Sequence, residues 1–204
     1  MRSDAELLQA WRQGDAKSGE ALFDRCFEPL VRFFRTKVSR GVDDLVQETL
    51  LACCASTDRI REDASFRAYL FGVARNVLSN HYRKQRRDGE AFDLGSHTAQ
   101  ELGPGPHTML LEKVEHRLLL EGLRRIPLRD QIVLELYFWE RLSAAAIGTV
   151  MDTPEPTIRT WIRRAKDRLQ GELDGLLRER DLAPTQTDLE DWAEAVRREL
   201  KSGR

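Results

Sequence analysis

The chain has 204 residues, 33 % charged and 41 % hydrophobic, with 33 Lys and Arg against 34 Asp and Glu for a net charge of −1. That length suits two small domains with modest cores, and the composition excludes a collagen-like, low-complexity or disordered chain. No apolar run nears the roughly 20 residues that a membrane span needs, and the opening MRSDAELLQAWRQGD has no signal-like apolar core, so a cytoplasmic location without membrane insertion is expected.

Residues 3–87 read as continuous helical material. Ser3 or Asp4 is placed to cap a first helix with Leu7, Leu8 and Trp11 on its apolar side, stopped near Gly14. A second helix is expected over about 16–39, with Ala21, Leu22, Cys26, Leu30, Phe33 and Phe34 at apolar spacing and Pro29 as a kink or break. Gly41 ends it, and Asp43 and Asp44 suit the N-terminal dipole of a third helix reaching about Ser56. Cys26, Cys53 and Cys54 fit neither a disulfide framework nor a zinc site and read as buried small apolar residues.

After a polar loop at 57–64, Ser65 caps a fourth helix to about Arg87. Phe66, Tyr69, Leu70, Val73, Val77 and Leu78 form its apolar side, while Asn76, Asn80, Arg83, Lys84, Arg86 and Arg87 project polar and cationic groups. Aromatics beside cations suit partly unstacked DNA, whose bases offer stacking faces and whose backbone attracts charge. Here the aromatics read as core and the basic cluster as phosphate-contacting.

Residues 88–112 hold four glycines, five acids and no cation, and read as a flexible acidic linker. Residues 1–87 carry +4, 113–180 carry +2 and 181–204 carry −2, so basic segments flank an acidic one, and local field matters more than the near-zero total. Helices resume at about 109–125 and 129–139, separated by Ile126-Pro127.

Residues 142–169 then read as a helix-turn-helix. Ser143 caps a short helix with Ala146, Ile147, Val150 and Met151 at helical spacing, and Asp152-Thr153-Pro154-Glu155-Pro156 stops it. Ile158, Ile162, Ala165 and Leu169 form the buried stripe of the next helix. Arg159, Arg163 and Lys166 fall on another stripe, with Thr160 and Arg164 beside it, where cations can meet phosphates and base edges. Beyond Leu177, Thr187-Asp188-Leu189-Glu190 is a capping pattern ahead of Leu189, Trp192, Ala193, Val196 and Leu200, an amphipathic helix that needs a surface to dock on.

The whole layout resembles a bacterial extracytoplasmic-function (ECF) sigma factor over about residues 4–172. AELLQAWRQGDAKSGEALFDRCFEPLVRFF, DDLVQETLL, SFRAYLFGVARNVLSNHYRKQRR and LRRIPLRDQIVLELYFWERLSAAAIGTVMDTPEPTIRTWIRRAKDRL stand in the family's order. The resemblance implies an all-α fold. A polymerase-binding, minus-ten-reading domain would span 1–87, a linker 88–112, a minus-thirty-five-binding domain 113–177 and a C-terminal extension 178–204. It implies that Asp44, Leu45, Gln47 and Glu48 grip core RNA polymerase. Asn76, Asn80, Arg83 and Lys84 would face the upstream edge of the minus-ten element, with loop 57–64 beside an extruded base. Thr157, Arg159, Thr160, Arg163 and Arg164 match the recognition face. The family's linker threads towards the polymerase active centre, and an anti-sigma factor is the implied antagonist. Departures are Ala144-Ala145-Ala146 where an aromatic and acids are usual, Pro156 for a glycine and Trp161 for a cation.

The implied function is promoter recognition and melting with promoter DNA and core polymerase as partners. No cofactor, metal or catalytic group is expected, since His81, His97, His107 and His116 are scattered and no nucleophile–base pair assembles. The alternatives are a stand-alone helix-turn-helix regulator binding duplex DNA as a dimer, and an anti-sigma antagonist that mimics sigma surfaces. The first predicts tight palindrome binding without polymerase; the second has no use for the Arg83–Arg87 and Arg159–Lys166 charge. An alternative to control by an anti-sigma protein is that the C-terminal helix at 187–200 folds back on the second domain and modulates it.

Overall fold

The computed structural model describes residues 2–56, 65–85, 92–102, 114–181, 189–191 and 193–194. The loop expected at 57–64, the cations Arg86 and Arg87, both flanks of the linker and most of the C-terminal extension lie outside the described residues. The described helices are α1 (Asp4–Arg12), α2 (Ala16–Arg35), α3 (Val42–Cys54), α4 (Phe66–Gln85), α5 (Val114–Arg125), α6 (Leu128–Phe138), α7 (Ala144–Met151) and α8 (Glu155–Glu179), with a further helical piece at 189–194. Among the described residues the one β-type pairing is an isolated bridge between Thr98 and Pro127, so the fold is all-α.

Local chemistry sets the helix starts. Ser3 and Glu6 form a reciprocal capping box on α1, with Glu6 N–H donating to Ser3 Oγ at 3.3 Å and Ser3 N–H to Glu6 Oε2 at 2.6 Å. Asp15 caps α2 through Ser18 N–H. Of the kink or break expected at Pro29, the break does not occur, and α2 runs on through it. Proline removes one helix bond there, but Cys26, Leu30, Phe33 and Phe34 are buried on the same helix. Burying each large side chain is worth about 1.5–3 kcal/mol, which outweighs the lost bond.

Two apolar clusters form, and their boundary is not the domain boundary expected from the sequence. The first joins α1–α4 to Leu128, Ile132, Val133 and Leu136 of α6, Ile147, Val150 and Met151 of α7, and Ile158 and Ile162 of α8. The second joins α5, the end of α6, the later half of α8, and Leu189 and Ala193. Helix α7 lies directly on α4; a Cβ added at Gly72 would stand 3.9 Å from Val150 Cα.

The expectation of a flexible linker is corrected for residues 92–102. Leu128 N–H donates to His97 O and Arg129 N–H to Leu94 O, both at 2.8 Å, and Gln100 N–H to Arg124 O at 3.0 Å. Phe92 stacks on His97, tilts against Tyr82, and Ala99 is buried. Glycine and acid content signalled a tether, but Phe92, Leu94 and Ala99 find apolar surface and the backbone finds partners.

A polar seam runs between the two halves. Lys37, at the end of α2, is fully buried, and its ammonium reaches Glu135 Oε2 of α6 at 2.5 Å and Phe33 O at 2.9 Å. Thr36 Oγ1 and Gln131 Nε2 donate to Glu135 Oε1 at 2.9 and 3.0 Å. Arg124 donates to Thr36 O and Ala99 O, and the Tyr82 hydroxyl to Lys37 O. Burial pulls the Lys37 ammonium below its ordinary pKa, and the Glu135 carboxylate opposes that shift. Glu140 adds pairs to Arg32, at 2.5 Å, and Arg67.

Candidate nucleic-acid interface

Helix α7 begins where expected, with Ser143 Oγ accepting from Ala146 N–H at 3.2 Å. It ends at Asp152, whose φ of 52° is left-handed, and Thr153 N–H closes the turn on Gly148 O at 3.0 Å. A Cβ on Gly148 would meet Thr153 O at 2.6 Å, so only glycine lets the turn pass this close to α7. Gly148→Ala is expected to cost about 1–3 kcal/mol by overpacking, read as a lower midpoint in chemical unfolding. Pro154 and Pro156 flank the start of α8 without breaking it, because the first-turn amides have no intrahelical acceptor.

From that turn α8 extends its cations. Arg163 and Arg164 are exposed; Arg159 is exposed and paired with Glu155 at 2.5 Å. Thr157 and Thr160 are half-buried beside them, with Thr160 Oγ1 donating to Pro156 O. Ile158, Ile162, Ala165 and Leu169 face inward as the spacing implied. Lys166 is at the border of the face, its ammonium 4.8 and 5.2 Å from the Tyr137 and Phe138 ring centres and paired with Glu190. The Arg129 guanidinium lies over the ring of half-buried Trp161, 4.6 Å from its centre.

Helix α4 presents a second polar face. Asn76, Asn80 and Arg83 fall at i, i+4 and i+7 and are exposed, with Lys84 exposed at the same end. They border a groove of about 440 Å³ completed by Arg75, Ser79 and the linker residues Phe92, Asp93 and Leu94. The Ser96 hydroxyl, 2.8 Å from Asp93, holds that carboxyl below the ordinary range, so the groove keeps one anion among its cations. Arg75 is half-buried; burial lowers its guanidinium pKa, and Asp152 of the helix-turn-helix opposes the shift. The aromatics Phe66, Phe71 and Tyr82 are buried, as core.

On α3, Asp44, Gln47 and Glu48 are exposed along one stripe. Leu45 is only 5 % exposed and packs in the first cluster, so in the chain by itself it supports the helix and is not part of the exposed stripe. The stripe instead carries Leu51, 70 % exposed, at i+7 from Asp44, a residue the sequence reading missed although its spacing from Asp44 and Glu48 marked the position. Cys54, at i+10, is exposed, which corrects the expectation of three buried cysteines; burial pushes the Cys26 and Cys53 thiols up to about 11 and about 12.

Among the described residues no group of three or more His, Cys, Asp or Glu is arranged to hold a metal, and no helix is long and apolar enough to cross a membrane. The exposed faces of α3, α4 and α8 offer charge and hydrogen bonding.

Residues 22–88 match the model of Sigma-70 region 2, and residues 116–169 that of Sigma-70, region 4. The chain is 26 % identical over 186 residues to the ECF RNA polymerase sigma-E factor of Haemophilus influenzae, covering 86 % of this chain and 97 % of that one. The sigma-E factor of Escherichia coli K12 is 26 % identical over 185 residues with the same coverage. Among solved structures, CnrH in complex with the cytosolic domain of CnrY superposes with a TM-score of 0.62 at 21 % identity, covering 84 % of this chain and 97 % of that one. The sigma factor RpoE in complex with the anti-sigma factor NepR from Bartonella quintana gives 0.57 at 22 % identity, covering 76 % and 96 %.

Proposed function

The chain belongs to the extracytoplasmic-function sigma factors, and from that premise we propose how its surfaces divide the work of binding core RNA polymerase, directing it to promoters and helping to melt them. The α3 stripe of Asp44, Gln47, Glu48 and Leu51 docks on the polymerase, acids meeting its cations and Leu51 serving as the apolar anchor. The α4 face of Asn76, Asn80, Arg83 and Lys84, with Arg86 and Arg87 next in sequence, holds the opened minus-ten strand. The α8 face of Thr157, Arg159, Thr160, Arg163 and Arg164 enters the upstream element. No step is covalent, and the protein works in the cytoplasm.

One observation carries the mechanism: α4 and α7 share a single apolar core in the chain by itself. Elements named for positions ten and thirty-five lie about 25 base pairs apart, roughly 85 Å of duplex at about 3.4 Å per step. Reading faces on α4 and α8, held together through α7 in that one core, cannot span that distance. The structure is therefore the closed state, and promoter engagement parts the seam. A partner of the anti-sigma class acts by holding the chain closed. The match to region 2 disfavours the stand-alone regulator, which has no use for a polymerase-docking helix.

The test is Leu51→Asp in the full chain. It is expected to leave the melting temperature within a degree or two, since Leu51 is exposed, and to abolish co-elution with core polymerase. Unaltered co-elution and promoter-dependent transcription would remove α3 from the docking surface.

A further inference from the structure

The described residues of the C-terminal extension, 189–191 and 193–194, lie against the second domain. Leu189 and Ala193 are buried in the cluster of α5, α6 and α8, and the Trp139 indole N–H donates to Ala193 O at 3.1 Å. Glu190 and Glu194, one helical turn apart and so on one face, meet two cations of the second domain. Glu190 pairs with the Lys166 ammonium, and Glu194 with the Arg141 guanidinium at 2.5 Å.

Those cations are not arbitrary surface charges. Lys166 continues the α8 stripe of Arg159 and Arg163, and Arg141 stands two residues ahead of the Ser143 cap that opens the helix-turn-helix. Arg141 itself is held at a φ of 54°, a left-handed conformation that a non-glycine residue adopts only where its surroundings require it. Beside each cation stands a carboxylate, which offers it the charge and acceptor oxygens that a backbone phosphate also offers. The residues from 181 to 204 carry six acids against four bases, so the segment as a whole has the sign of the ligand.

We propose that the C-terminal segment is a built-in polyanion mimic that engages Lys166 and Arg141 and so weakens the hold of the second domain on duplex DNA until the segment is displaced. The proposal rests on reading α8 as the helix that enters the upstream element. Arg163 and Arg164 stay exposed beside the covered edge, so the segment attenuates binding and does not abolish it. Partly exposed ion pairs are individually weak, which makes the cover displaceable by a true phosphate backbone. Its anchor is apolar, through Leu189 and Ala193, and its effect on DNA is electrostatic, so the two are separable by mutation.

The experiment uses the full chain and a fluorescein-labelled 30-base-pair duplex of arbitrary sequence, with anisotropy titrations from 50 to 200 mM salt. Glu190→Gln/Glu194→Gln removes both charges and keeps the anchor. It is expected to tighten binding about 3- to 10-fold at the lower salt and to steepen the salt dependence by up to about 1.8, as two cations become available to phosphates. Arg163→Gln/Arg164→Gln, run in parallel, weakens binding if α8 is the DNA-facing helix. An acid variant that matches the parent in affinity and slope, while the arginine variant weakens, overturns the mimic and leaves the recognition helix standing. If neither variant alters binding, both readings fall together.

Discussion

Glu135→Ala destabilises the closed chain by about 3–5 kcal/mol, because it leaves the fully buried Lys37 ammonium without a counter-charge. Lys37→Met/Glu135→Gln recovers most of that loss. The glutamine keeps an oxygen to accept from Thr36 Oγ1 and Gln131 Nε2, and methionine fills the volume of the lysine stem. Both variants are read by urea unfolding. Function separates them from a merely structural pair. When the seam opens, Lys37 and Glu135 regain water, so the charges that make closure weak also make opening cheap. The neutral pair has no such compensation. It is expected to lower promoter-dependent transcription severalfold while unfolding at about the parental midpoint. Parental transcription from that variant would deny the seam any part in opening.

The second large effect lies on α8. Arg163→Glu/Arg164→Glu places two anions where the helix should meet phosphates and base edges. Each lost base contact costs about 1–3 kcal/mol, and each lost phosphate contact removes about 0.9 from the salt slope. Promoter-dependent transcription should fall at least 100-fold while the variant still co-elutes with core polymerase, since α3 is untouched. Both side chains are exposed, so the fold should hold. Retained transcription would move the upstream-reading surface elsewhere.

Much of this was legible in the residues themselves. The cap at Ser3, one of two candidates there, the Ser143 cap and the inward stripe of Ile158, Ile162, Ala165 and Leu169 all appear where spacing and capping chemistry put them. The positions of exposed cations on α4 and α8 followed from the same periodicity. What failed were the features decided by tertiary partners. Pro29 is carried through α2 by the packing around it, and Leu45 is buried and Cys54 exposed because the exact orientation of α3 depends on what it docks against. Residues 92–102 looked like a tether because glycine and acid content says nothing of where Phe92, Leu94 and Ala99 come to rest. The pairing of Lys37 with Glu135 bridges 98 positions in the chain and has no local signal at all.

Closure in the free chain and parting on the promoter is the claim on which the mechanism turns. It is tested by a dye pair on Lys17→Cys of α2 and Gln170→Cys of α8, both exposed sites, in a Cys54→Ser background where the two remaining cysteines are buried. Energy transfer between the dyes should be high in the chain alone and drop sharply once core polymerase and a melted promoter are bound. Transfer that stays at its starting level while transcripts are being made would contradict the account.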